Sequence, residues 1–172
     1  KRITISTSGI VPQINKLADL TDVSLAISLH AAENELRDII VPINKKYPIK
    51  DLLNSCNNYL SKQTGKRNIT IEYILIDGIN DSLKHAASLS KILANLSCKI
   101  NLIPFNPFEG SEYKRSTNKS IYAFKNYMAN KGYITTCRIT RGDAIDGACG
   151  QLVGNLKKTI KGKSIIQHTS IQ

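Results

Sequence analysis

The sequence has no close-set cysteines. Cys56, Cys98, Cys137 and Cys149 stand far apart, with no CxxC or CxxxCxxC between them. Zinc or iron-sulfur sites built from local spacing are therefore excluded, and reduced thiols of a cytoplasmic protein are the simplest account. Uninterrupted apolar runs of roughly 18 residues, the length a membrane-spanning helix needs, are also missing, so no membrane association is expected. The chain opens at Lys1 with neither an initiator Met nor an apolar leader, which raises the expectation of a piece of a longer protein. No internal repeat, metal-ligand cluster or paired carboxylates stand out by spacing, which leaves little support for a hydrolase. Acidic residues are few, 13 Asp and Glu against 24 Lys and Arg, for a formal charge of +11. Such a field attracts polyanions. The basic residues are spread along the chain rather than gathered on one amphipathic helix, which favours nucleic acid over a membrane surface. A generally solvated charged face is the plainer alternative.

Across its 172 residues the chain alternates strand and helix patterns. Residues 2–7 alternate apolar and polar and run into the turn Ser6-Thr7-Ser8-Gly9, and Pro12 opens a short helix. The stretch VSLAISL, Val23 to Leu29, reads as a strand buried on both faces and ending at His30. A helical stretch around Glu33 to Ile40 stops at Pro42. Ile49, Leu52, Cys56 and Tyr59 then recur at helical spacing up to Gly65. ITIEYILI, residues 69–76, is the strongest strand and ends in Asp77-Gly78. Asn80 or Asp81 is expected to cap a helix whose stripe is Leu83, Ala86, Leu89 or Ser90, Leu93 and Leu96. CKINLIP, residues 98–104, is the next strand. A helix with Ile121, Phe124 and Met128 inward stops at Gly132, and Ile134 to Ile139 is the last strand.

Strand and helix in alternation imply an α/β fold with a parallel sheet, right-handed crossovers and outer helices. The strands are too few for an eight-unit barrel of about 250 residues, so part of a barrel or a six-unit barrel is expected. Residues 1–154 form that unit, and 155–172 are a basic, weakly patterned tail. Ligands in such folds bind at the carboxyl ends of the strands, which here carry Ser6, Ser28, His30, Asp77, Asn106, Arg141 and Asp143. Cys149 lies between glycines in Asp146-Gly147-Ala148-Cys149-Gly150. A thiol there acts as a nucleophile if nearby positive charge favours the thiolate, or it simply fills a turn. The other three cysteines fall on predicted core faces and are assigned no chemistry. His30 can serve a ligand or a purely structural hydrogen bond, and the residues alone leave both open.

The segments STSGIVP, LAISLHA, RDIIVPINKKY, TIEYILIDGIND, INLIPFNPFEG and TRGDAIDGACGQL, in that order between Arg2 and Gly154, resemble the RlmN family of radical S-adenosylmethionine (SAM) RNA methyltransferases. The resemblance implies the carboxy-terminal part of a partial (β/α)6 TIM-type barrel. It also implies methylation of adenine carbon 2 in 23S rRNA and in tRNA, with SAM and a 4Fe-4S cluster as cofactors and an electron donor such as flavodoxin. By the same resemblance Ser6, Ser28, Leu29, His30 and Asn106 are SAM contacts, and Cys149 carries the methyl group as S-methylcysteine. The family's cluster motif, its Gly-Glu-Pro loop and its resolving cysteine have no counterpart here and would precede Lys1. No metal ligand is therefore assigned to this chain, which is expected to be inactive alone. Cfr-like methylation at carbon 8, or an RNA-binding remnant without catalysis, are the alternatives.

Overall fold

A computed structural model describes residues 3–137. Five strands, β1 (Thr4–Thr7), β2 (Ser24–Ser28), β3 (Ile69–Leu75), β4 (Cys98–Pro104) and β5 (Thr135–Cys137), form one sheet in the order β1-β2-β3-β4-β5. Every neighbouring pair is parallel, so each carboxyl end lies on the same edge. Five helices connect them: α1 (Val11–Leu20), α2 (Asn34–Ile40), α3 (Ile49–Ser61), α4 (Leu83–Ile92) and α5 (Asn118–Asn130), with a 3-10 turn at Pro42–Lys45. The α/β reading with a parallel sheet and outer helices holds.

Side-chain alternation along the strands gives the sheet two unlike faces. Leu25, Ile27, Ile69, Ile71, Tyr73, Ile100 and Leu102 point to one face and pack beneath the helices. Ile14 and Ala18 of α1, Leu52, Cys56 and Tyr59 of α3, Ala86 and Leu89 of α4, and Ile121, Phe124 and Met128 of α5 meet them there. The spacings of three and four within each helix place these residues on one stripe, so burying that stripe holds the helix to the sheet. Tyr73 stacks against Phe124 with ring centroids 5.2 Å apart, and its hydroxyl donates to the Asn80 carbonyl at 2.9 Å. The opposite face carries Thr4, Ser6, Ser24, Ser28, Thr70, Glu72, Lys99, Asn101 and Thr136, all half-buried or exposed. A smaller apolar cluster of Ile74, Ile76, Phe105, Ile40 and Val41 closes that face where β3 ends.

Two expectations are corrected here. The cap of α4 is Ser82, not Asn80 or Asp81: its hydroxyl accepts from the His85 backbone N–H, while the His85 ring takes the Ser82 N–H in a reciprocal capping box. Asn80 is fully buried and its side chain is spent on the β3 turn, and Asp81 accepts from the Gly78 N–H. Leu83 is 53% exposed at the first position of the helix, where no buried stripe has yet begun. Ala86, Leu89, Leu93 and Leu96 are buried as expected.

Phe124→Ala is expected to lower unfolding free energy by about 3–5 kcal/mol, whereas Leu83→Ala should change it by less than about 0.5 kcal/mol. Urea unfolding of the two variants checks both, and equal effects would contradict the two-faced arrangement.

Candidate functional site

The carboxyl edge of the sheet is shaped by two buried polar side chains. Arg37 is fully buried on α2. Its Nε donates to the Leu29 carbonyl at 2.9 Å, and Nη2 donates to the carbonyls of Ser8 at 2.7 Å and Ser28 at 3.2 Å. Its Nη1 donates to Asn44 Oδ1 at 3.0 Å, and Asn44 Nδ2 in turn reaches Asp38 at 2.6 Å. One planar fork thereby ties the loop after β1 to the end of β2. Burial lowers its pKa to about 10, with the Asp38 carboxylate opposing that shift, so the guanidinium stays charged at neutral pH. Gly9 fits under this fork with φ +109, and a Cβ there would lie 3.0 Å from Leu52 and 3.5 Å from Arg37 Nη2.

Asn80 fixes the next junction. Its amide donates to the carbonyls of His30 at 2.9 Å and Ile74 at 2.7 Å, and its Oδ1 accepts from the Ile76 N–H at 2.8 Å. His30 is the one non-glycine residue with positive φ among the described residues, at 63. Its Nδ1 accepts from the Ile74 N–H at 3.1 Å, which places the neutral ring's proton on Nε2. Burial, reinforced by the Arg37 charge, pushes the His30 pKa down to about 4. The ring is neutral at physiological pH and brackets β2 to β3.

The remaining rim residues fall where the parallel topology puts them. Ser6 is exposed in β1 and pairs in register with Ala26, Ser28 is half-buried at the end of β2, and Asn106 is exposed two residues beyond β4. Leu29 is fully buried under the helices. Its backbone N–H donates to Glu72 O at 3.0 Å and its carbonyl accepts from Arg37. Cys149, Arg141 and Asp143 lie outside the described residues. The other thiols are poor nucleophiles: burial raises Cys56 and Cys98 to about 12, and raises Cys137 as well.

Sequence reading missed the polar row across the sheet. Ser28, Glu72, Asn101 and Thr136 are register neighbours on adjacent strands. Ser28 Oγ donates to Glu72 Oε2 at 3.1 Å, and Thr136 Oγ1 to Asn101 Oδ1 at 3.2 Å. The available signal was a carboxylate standing inside the apolar run of β3. A strand buried on both faces would not carry it.

This polar wall suits a ligand rich in hydroxyl and amine groups, which SAM is. An iron-sulfur cluster does not fit the described residues, since no group of three His, Cys, Asp or Glu side chains converges among them. Nor is any helix among them long and apolar enough to cross a membrane.

No family model matches the chain. A crystal structure of a radical SAM methyltransferase from Sphaerobacter thermophilus superposes with a TM-score of 0.80 at 43% identity, covering 87% of this chain and 43% of that one. A domain of a pyruvate-formate lyase-activating enzyme from Bacteroides vulgatus, at TM-score 0.63 and 14% identity, shares the fold. The parallel sheet and outer helices match those of the radical SAM methyltransferase, so the chain takes the α/β partial-barrel fold of the radical SAM enzymes. Within that class the chain is a homologue of RlmN: it is 53% identical over 157 residues to the dual-specificity RNA methyltransferase RlmN of Marinobacter nauticus. The match takes in 91% of this chain, which spans 42% of the length of that relative.

Two measurements test the rim. Arg37→Met removes the donor for three carbonyls and the Asn44 amide oxygen, and each buried acceptor left unmade costs about 1–3 kcal/mol. The variant is expected to lose at least about 3 kcal/mol in urea unfolding, and a loss under about 1 kcal/mol would contradict the fork's role. For His30 the folded pKa of about 4 lies below the ordinary histidine value of 6.5, so the unfolded chain takes up the proton first. Its effect is absent above about pH 6.5, destabilises as pH falls through that value, and levels off below about pH 4. His30→Asn, which tolerates positive φ, should therefore lose less stability than wild type between pH 7.5 and 4.5. Parallel pH curves for the two proteins would contradict this.

Proposed function

We propose that this chain supplies the SAM-binding rim and the methyl-carrying thiol of an RlmN-type enzyme, which methylates adenine carbon 2 in 23S rRNA and tRNA. The observation that carries the reading is a polar inner face, half-buried or exposed among the described residues, on a sheet whose sequence is half identical to RlmN. SAM, when bound, supplies the methyl group and, with the cluster, the radical. Ser6, Ser28 and Asn106 hold it with hydroxyl and amide groups at the strand ends, and Leu29 and His30 shape the floor through backbone and ring bonds already made. Ser28 has its proton committed to Glu72, so its oxygen faces the ligand as an acceptor. Cys149 takes the methyl group on sulfur and presents it to the adenine. The basic surface, part of a formal charge of +11, gathers RNA. The cluster ligands and the electron donor lie outside the described residues.

Grafting residues 2–154 in place of the matching stretch of Marinobacter RlmN tests this directly. Nucleoside mass spectrometry of 23S rRNA is expected to show adenine methylated at carbon 2, with loss of the product in Cys149→Ala and about a tenfold or greater loss in Ser28→Ala. Methylation at carbon 8, or full activity in Cys149→Ala, would overturn the reading.

A further inference from the structure

The end of the sheet opposite the rim holds a polar cavity. Its volume is about 250 Å³, and it opens at the amino ends of β1 to β4. Thr4, Ser24 and Thr70 line it with hydroxyls, and Lys66, Arg67 and Lys99 bring positive charge to its wall. In a parallel sheet this end ordinarily serves stability rather than ligands, so hydroxyls and cations gathered there call for another explanation.

The wall is built, not loose. The Tyr59 hydroxyl donates to the Val23 carbonyl at 2.6 Å. Ser97 Oγ donates to Asn68 Oδ1 at 2.7 Å and contacts the Arg67 carbonyl at 3.2 Å, which pins the segment carrying Lys66 and Arg67 onto the start of β4. Arg67 itself is committed to Asp22 at 2.5 Å and to the Thr64 carbonyl at 3.3 Å. Lys66 and Lys99 have no carboxylate within ion-pair distance among the described residues. Gln63 Oε1, also in the lining, is buried without a hydrogen-bond partner. Two ammonium groups without an ion-pair partner among the described residues and three hydroxyls around one small space are the donor set a tetrahedral oxyanion requires.

We propose that this cavity is a phosphate-binding site, taking either free phosphate or a phosphodiester of bound RNA. It lies at the amino ends of the strands, opposite the rim residues, and does not depend on the methyl-transfer reading. Lys66 and Lys99 supply the charge, Thr4, Ser24 and Thr70 donate from hydroxyls, and the Arg67–Asp22 pair fixes the wall without carrying the anion.

The full chain is titrated with inorganic phosphate while amide shifts are followed by NMR, and its binding to a single-stranded rRNA fragment is measured across salt concentrations. Wild type is expected to show saturable shifts at Lys66, Asn68 and Thr70. The double variant Lys66→Gln/Lys99→Gln, whose exposed sites leave the urea midpoint unchanged, should weaken phosphate binding by about tenfold or more. If RNA is the occupant, phosphate competes with it, and the double variant flattens the salt slope by about 1.4, from two contacts at about 0.7 each. If phosphate binds there while RNA affinity and slope stay as in wild type, free phosphate is the occupant. Phosphate shifts absent from this cavity, or unchanged in the double variant, overturn the proposal. A change in RNA affinity alone also overturns it, because it places the two lysines in a diffuse field rather than a site.

Discussion

A buried guanidinium organises the carboxyl edge of this protein. Arg37 is removed from water completely, and an unpaired charge there would be prohibitively costly. It is tolerated because its donors meet carbonyls at Ser8, Ser28 and Leu29 and the amide oxygen of Asn44. Those carbonyls belong to the ends of two neighbouring strands, so satisfying the charge and positioning the rim are the same event. Asn80 repeats the device one strand further on, joining His30 to the β3 turn. The polar side chains of the strand ends are thus held in place by Arg37 and Asn80, which is the support a preorganised site needs.

The second constraint is the division of the sheet, among the described residues, into an apolar face under helices and a largely polar face opposite it. Period-2 alternation makes this division automatic once β3 and β4 pair in register from Ile69 and Cys98 to Leu75 and Pro104. A one-residue slip would bring Glu72 and Asn101 beneath the helices and expose Ile71 and Leu102, so the hydrophobic core and the polar wall specify each other. Both ends of the polar face then differ in character. The carboxyl end is acidic and acceptor-rich around Glu72, whereas the amino end is cationic around Lys66 and Lys99.

Much of the architecture was legible because it rests on local patterns. The stripe Ile121, Phe124 and Met128 reads directly as a buried helix face, and the β-branched run of β3 reads as a strand. The placement of Ser6, Ser28 and Asn106 toward the strand ends was legible from topology, since parallel strands bring their ends together, whereas their role as SAM contacts came from the family resemblance alone. What escaped depends on contacts across the chain. Nothing local distinguishes Arg37 from a surface arginine, because its partners Ser8 and Ser28 are brought to it only by the fold. The cap of α4 falls one or two residues later than expected because Asn80 and Asp81 are both spent inside the turn, leaving Ser82 to start the helix. Leu83 fitted the apolar period but is the first residue of the helix and stays exposed, while Ala86 and Leu89 further along are buried.

The central claim is that the polar carboxyl edge, held by Arg37 and Asn80, is where the adenosyl cofactor sits. Amide shift mapping of the full chain with S-adenosylhomocysteine tests it most directly. The account predicts saturable shifts concentrated at Ser6, Ser28, His30 and Asn106 and their strand neighbours. Shifts confined to the amino ends of the strands, or none at saturating ligand, would contradict it.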